Sequence, residues 1–368
     1  MKRALKLVAS LLVTLLFTWW TFRETDLRSQ WASLRSADYS YLLPYLGILT
    51  LIHICRTLRW GCLLSGIERV PFRPLNEASG IGFMMLLVLP FRLGEFARPF
   101  LIAQRSSIRR SAAMMSVVLE RITDGLLVAT LLRVLLFFVP SDSAGIRYVK
   151  LGSTAMFALF GGGLAFLLFA RWQHDRAVRL VRFTVGRFMP GLADKMADVV
   201  DGFVGAMRQL PDATQLTFFF LLTLVYWGLN GAGMALLARA FGCVGAEAAC
   251  QPMSLTLFQA FVVMTVLVVG LMIPAAPGMM GTFQAAMKVG LGLFLPAAVV
   301  NQSGLAYANV LWLSQTVQQI GFGLILLSVG HMSFRDIATK LDKEGEASAP
   351  KEGVVSEPKE GEASAPMA

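Results

Sequence analysis

Long apolar runs separated by short, polar and mostly basic segments make up most of the chain, and their lengths predict what each becomes. Runs from about Leu7 to Trp20, Tyr41 to Trp60, Ala112 to Val139, Val149 to Ala170, Leu216 to Phe241 and Val299 to Val329 mostly approach or exceed the ~20 residues that cross a bilayer core of about 30 Å. The first follows Lys2, Arg3 and Lys6, lacks a small-x-small cleavage site and ends at Trp19-Trp20, which fits an interfacial aromatic belt and an uncleaved anchor. Residues 21–40 read as a short surface helix. Two further segments, 76–104 and 253–295, begin apolar and then break. In the first, Ile81 to Leu89 runs into Pro90-Phe91-Arg92-Leu93-Gly94-Glu95-Phe96-Ala97-Arg98; in the second, the run to Ile273 meets Pro274-Ala275-Ala276-Pro277-Gly278-Met279-Met280-Gly281-Thr282-Phe283-Gln284. Backbone freed by proline and glycine at membrane depth is tolerated only where protein or a wet cavity satisfies it. Both segments therefore read as re-entrant, and the fold class is an all-α integral membrane protein of about six spans and two re-entrant segments.

The two breaks share a pattern. Pro90, Gly94 and Phe96 recur as Pro277, Gly281 and Phe283, while Trp60-Gly61-Cys62 and Pro71 resemble Phe241-Gly242-Cys243 and Pro252 at nearly the same spacing. Residues 1–139 and 140–335 then form two membrane halves of three crossings each, in opposite orientations, the plan of an inverted repeat with its substrate site where the broken helices meet. The second half carries a basic insert, 171–215, in which Val178, Val181, Val185 and Phe188 recur at helical spacing among Arg176, Arg179, Arg182 and Arg187. It reads either as a helix lying on an anionic membrane face or as an ordinary connector packed on the bundle. A low-complexity, charged tail, 336–368, repeats Lys-Glu-Gly-Glu-Ala-Ser-Ala-Pro and is expected to be disordered.

Composition agrees: 56% of residues are hydrophobic and 15% charged. The net charge of +10 does not point to nucleic acid, because the basic residues collect in short loops between apolar runs. With the N-terminus inside, the inner segments hold Arg69, Arg73, Arg105, Arg109, Arg110 and the run from Arg171 to Arg208, whereas the outer ones hold few. By the positive-inside rule both termini face the cytoplasm, across the cytoplasmic membrane. Cys55, Cys62, Cys243 and Cys250 form no Cys-x-x-Cys, and His53, His174 and His331 are scattered, so neither metal nor cofactor is expected. Cys243 and Cys250 share a loop and are either disulfide-bonded or free thiols.

The chemistry lies in charges placed inside apolar runs. Arg92, Glu95 and Arg98 sit in the first break, and Glu120, Arg121 and Asp124 in the third run. Each costs roughly 2.5–3.5 kcal/mol at a helix centre, so six facing lipid would approach ~15 kcal/mol, the whole stability of a typical domain. They must face one another, water or a ligand. Arg92, Arg98 and Arg121 offer planar forks suited to an anionic lipid headgroup. Glu95 lies three residues from both Arg92 and Arg98, and Asp124 three from Arg121 and four from Glu120, spacing that makes these helical neighbours. The carboxylates serve as counter-charges that lock the break to the third run, or one carries a coupling proton. Gln284 and Lys288 are the strongly polar residues of the second break. Arg56 and Arg59 read as interfacial anchors. No nucleophile or nucleotide-binding loop accompanies the carboxylates, so catalysis is not the expectation.

Taken in order, Arg56-x-x-Arg59-Trp60, Leu89-Pro90-x-Arg92-x-Gly94-Glu95, Glu120-Arg121-x-x-Asp124 and Pro274-x-x-Pro277-Gly278-x-x-Gly281 resemble the membrane domain of lysylphosphatidylglycerol synthases, a flippase-like domain also found alone. The resemblance implies translocation of a lipid such as an aminoacylated phosphatidylglycerol, a hopanoid or a polyprenyl-phosphate derivative. The family pattern is Gly-x-x-Glu where this chain has Gly281-Thr282-Phe283-Gln284, which removes a charge from the second break. No aminoacyl-transferring domain follows here, so synthesis by this chain alone is not expected. The alternative of another class is a non-transporting scaffold for a glycosyltransferase or lipid-modifying enzyme.

Overall fold

In a computed structural model of the chain, the described residues are 12, 15–23, 27–89, 94–139, 145–184, 211–242, 253–272 and 277–330, with isolated positions 334 and 339. Among them every regular element is helical. The first is α1, Leu27–Arg35. Asp38 Oδ1 accepts from Ser40 N at 3.0 Å to cap the turn that opens α2, Leu42–Leu64. Then come α3, Phe72–Val88, α4, Ala97–Arg105, and α5, Arg110–Leu135. The second half holds α6, Ile146–Trp172, α7, His174–Thr184, and α8, Ala213–Ala238, whose first turn is capped by Asp212. A capping box between Thr256 and Gln259 starts α9, Leu257–Gly270. Two last helices are α10, Thr282–Leu291, and α11, Leu305–Val329, which a π turn at Val300–Gly304 joins to a short helical turn, Ala297–Val299.

Four stretches are long and apolar enough to cross a membrane: Tyr39–Leu64, Ile146–Trp172, Ala213–Phe241 and Ala297–Val329. They match the second, fourth, fifth and sixth runs of the sequence. The chain is thus a multi-pass membrane protein. Of the first run, the described part, 15–22, is helical. At 26 residues α5 is about 39 Å long by a rise of about 1.5 Å per residue, but it carries five ionisable side chains, Arg110, Glu120, Arg121, Asp124 and Arg133, and is not uniformly apolar. Leu43, Leu159, Leu224 and Leu324 are all more than half exposed, as a lipid-facing surface requires. The interior is where charge sits: Arg59, Glu77, Arg98, Glu120 and Asp124 are buried.

The pairing of helices has an exchange symmetry. α2 packs along α8; α3 packs on α4 and α9 on α10; α5 meets α4 of its own half and α9 of the other, while α11 meets α10 of its own half and α3 of the other. Close approach is made by small residues. A Cβ on Gly80 of α3 would meet Leu326 of α11, and one on Gly323 of α11 would meet Met84 of α3, the small-residue packing that brings membrane helices together. Trp60 at the end of α2 donates to Ser116 Oγ of α5 at 2.9 Å. Its sequence counterpart, Phe241, packs edge-on against Tyr307 of α11 at 5.8 Å.

Helix α7 carries Arg176, Arg179 and Arg182 exposed, with Ala177 buried and Leu180 and Phe183 outward. The rest of the insert, Cys243, Cys250 and the 340–368 part of the tail lie outside the described residues, as do Pro90, Arg92 and Pro274.

Candidate functional site

The site grows from α2. Arg59 is 1% exposed, and both its terminal nitrogens are engaged: Nη1 donates to Asp124 Oδ1 at 2.5 Å, and Nη2 donates to Asp124 Oδ2 at 2.9 Å and to Glu120 Oε1 at 2.7 Å. This corrects the expectation that Arg59 is an interfacial anchor. The helix does not end at Trp60; it continues to Leu64, which places Arg59 against α5 rather than at the surface. The carboxylates therefore pair chiefly across helices rather than with arginines of their own. Glu120 Oε2 lies 3.1 Å from Arg98 Nη2 of α4, whereas its own-helix neighbour Arg121 is at 3.7 Å from Oε1. Geometry explains the preference, because only a side chain arriving from a facing helix can present both nitrogens to a carboxylate.

Arg98 is 2% exposed and lies 4.4 Å over Trp60 and 4.7 Å over Phe83. Its Nε, Nη1 and Nη2 have no aligned hydrogen-bond acceptor, so rings and the Glu120 charge hold it. Gly82 leaves room for its stem, since a Cβ there would meet Arg98 Cγ. Of the expected headgroup ligands, Arg98 is thus enclosed, Arg121 is about one-third exposed, and Arg92 lies outside the described residues. Glu95, in the turn before α4, is half-buried. A second ionic group ties the bases of α3 and α4 together. Glu77, buried, pairs with Arg73 at 3.2 Å and with Arg105, whose Nη2 donates to Gly330 O at 3.3 Å.

The breaks themselves are built from glycine. Gly94 packs so closely against α3 that a Cβ would run into the backbone of Met85 and Leu86. In the second break Gly278 and Gly281 have φ of 73° and 84°, left-handed values that glycine adopts at little cost. Trp312 Nε1 donates to Gly278 O at 2.8 Å. Gln284 Oε1 accepts from Gly281 N at 2.8 Å and its Nε2 donates to Asn309 Oδ1 at 3.2 Å, so Gln284 caps α10 and ties it to α11. Lys288 Nζ donates to Thr21 O at 3.2 Å.

The end of α3 and the second break line one cavity of about 200 Å³. Leu86 and Leu87 from the end of α3 and Gly278 and Met279 from the second break line it, together with His53, Arg56, Tyr226, Asn230, Trp312, Gln315, Gln318 and Gln319. Arg56 is the residue that the sequence reading undervalued. One turn before Arg59, it points to the cavity instead of to α5. Its guanidinium sits 3.3 Å over Phe83 and makes no ion pair or hydrogen bond among the described residues. The cavity adjoins the ionic cluster through α8: Trp227 Nε1 donates to Asp124 Oδ1 at 3.2 Å, and Arg59 lies 4.8 Å over Tyr226. The signal was present in sequence, as Arg56 and Arg59 stand three apart inside a run that stays apolar on both sides of the pair.

Fold and site define a class: a multi-pass helical membrane protein with charge in its interior and a cavity, lined by apolar side chains and several amides, beside its buried ion pairs. Within it, the chain belongs to the family of the lysylphosphatidylglycerol synthase TM region, whose sequence profile matches residues 7–317, spanning both breaks and most of the cavity lining. Among curated proteins none matches the chain.

Proposed function

We propose that this protein is a lipid transporter of the flippase type, moving a lipid with an anionic headgroup across the cytoplasmic membrane through the cavity between its two broken helices. The observation that carries this reading is Arg56: a permanent charge in a spanning helix, with no ion pair among the described residues, facing the cavity that the end of α3 and the second break line. An unpaired guanidinium at membrane depth is costly, and a phosphate is the anion most available there.

Helix lengths support the re-entrant reading. α3, α4, α9 and α10 hold 17, 9, 14 and 10 residues, so each reaches at most about 26 Å at a rise of about 1.5 Å, short of the ~30 Å core. With the first run and α5 as spans, six crossings and two re-entrant hairpins result. The exchange of partners between halves supports the inverted repeat, and the basic inner loops support cytoplasmic termini. The ion pairs of Arg59 and Arg98 with Glu120 and Asp124 hold α2 and α4 against α5 behind that cavity. The protein acts in this reading without catalytic chemistry.

The test is native mass spectrometry of lipids retained by the purified protein, paired with transport of a labelled anionic lipid in proteoliposomes. Arg56→Ala is expected to lose the retained lipid and to slow transport at least tenfold while the protein still elutes as a folded species. Transport at the normal rate by that variant sinks the reading. Co-purification of a glycosyltransferase or lipid-modifying enzyme, with no transport by the pure chain, replaces it with a scaffold.

A further inference from the structure

Resting on that reading, the chemistry of the cavity wall narrows the headgroup. Arg56 is the one fixed charge among the described lining residues, and among them there is no aspartate or glutamate. Glu120 is fully enclosed and Asp124 is turned into the Arg59 fork, so Asp124 reaches the cavity wall only through the indole of Trp227. Opposite Arg56 stands a stripe of amides on one face of α11, Gln315, Gln318 and Gln319, at the spacing that aligns side chains along a helix. Gln315 donates to Tyr45 Oη at 3.0 Å, but Gln318 Nε2 is buried without an acceptor, and an unmade hydrogen bond of this kind calls for a partner.

We infer that the cavity takes a phosphodiester whose remaining part is uncharged and rich in hydroxyls, and rejects the lysyl ester that the family's name suggests. Arg56 meets the phosphate as a fork, and the amides, each able to donate and accept, meet hydroxyls. A lysyl group would bring two ammonium charges to a site that has one cation already and no carboxylate to receive them. Buried charge needs a partner of opposite sign, and the described lining offers none to an ammonium. The same argument disfavours a phosphoethanolamine headgroup.

The experiment offers the purified full chain an equimolar mixture of phosphatidylglycerol, lysyl-phosphatidylglycerol, phosphatidylethanolamine and a glycosylated polyprenyl phosphate, with retained lipids read by native mass spectrometry. Retention of phosphatidylglycerol, of the glycosylated polyprenyl phosphate or of both at least tenfold over the lysyl ester is the expected result, and the relative amounts of the two identify the source of the headgroup. Gln318→Glu, and Gln319→Glu as a second variant, should lower that retention about tenfold and raise the lysyl ester's, whereas Gln318→Met should not raise it. Equal or better retention of the lysyl ester by the unaltered protein overturns this inference and leaves the transporter reading standing. If no lipid is enriched over its share of the mixture, both fall.

Discussion

Replacing Arg59 by alanine removes a buried side chain that makes three charge-assisted hydrogen bonds. Glu120 retains Arg98 at 3.1 Å and Arg121 at 3.7 Å. Asp124 keeps the Trp227 N–H at 3.2 Å and the more distant charge of Arg121, but loses the cation hydrogen-bonded to it. Breaking a buried pair from one side costs about 3–5 kcal/mol, a large share of the roughly 5–15 kcal/mol that holds most domains folded. At about 2 °C per kcal/mol for a large chain, that is a fall in melting temperature of roughly 6–10 °C. The decisive comparison is with Arg59→Met/Asp124→Leu, which removes one charge of each sign. If the penalty comes from the stranded carboxylate, the double variant recovers at least half of the loss, a coupling of about 2 kcal/mol or more. Thermal unfolding in detergent, followed by fluorescence-detected size exclusion, measures all the variants side by side. An Arg59→Ala protein that melts within 2 °C of the original, or a double variant no better than the single, would refute the claim that this fork anchors α2 to α5.

Two further outcomes follow from the breaks. Gly94→Ala should destabilise the protein by at least about 2 kcal/mol and raise protease sensitivity between α3 and α4, because the added methyl meets backbone, which cannot swing aside; wild-type melting and cleavage would exclude the close approach. Gln284→Ala should cost roughly 1–2 kcal/mol by opening the Gly281 cap and the Asn309 link, whereas Gln284→Glu, which keeps the acceptor for Gly281 N, should cost less than half as much in the same melting assay.

What the sequence made legible is what period and length can carry. Four of the apolar runs returned as helices that match in length, the breaks fell at Gly94 and at Gly278 to Gly281, and the resemblance to the family was sound. The ionic cluster was legible as a necessity, since six charges in apolar runs must be satisfied, but its wiring was not. Spacing on one helix favours Arg121 as the partner of Asp124; the structure gives Asp124 to Arg59, sixty-five residues away in sequence, because a facing fork makes two bonds where a neighbour on the same helix makes none. Such pairings depend on which helices pack together, and no local pattern records that. Arg56 was hidden for a related reason: without knowing that α2 and α8 lie side by side, its face of the helix could not be distinguished from the one turned to lipid.

The two halves hold their broken helices with different chemistry. In the first, α3 and α4 are fixed by ion pairs, Arg98 to Glu120 and Arg105 to Glu77; in the second, by neutral contacts, Trp312 to Gly278 and Gln284 to Gly281 and Asn309. A neutral hydrogen bond contributes only about 0.5–1.5 kcal/mol net, while separating a buried ion pair exposes charges that cost several kcal/mol each. If one wall of the cavity moves to pass a headgroup, the second break is the cheaper one to displace. The first would then stay in place and carry Arg56 and its supporting charges as a fixed site. Gln284 caps the second break without a charge, so in that arrangement the burden of recognising an anion falls on the side that stays still.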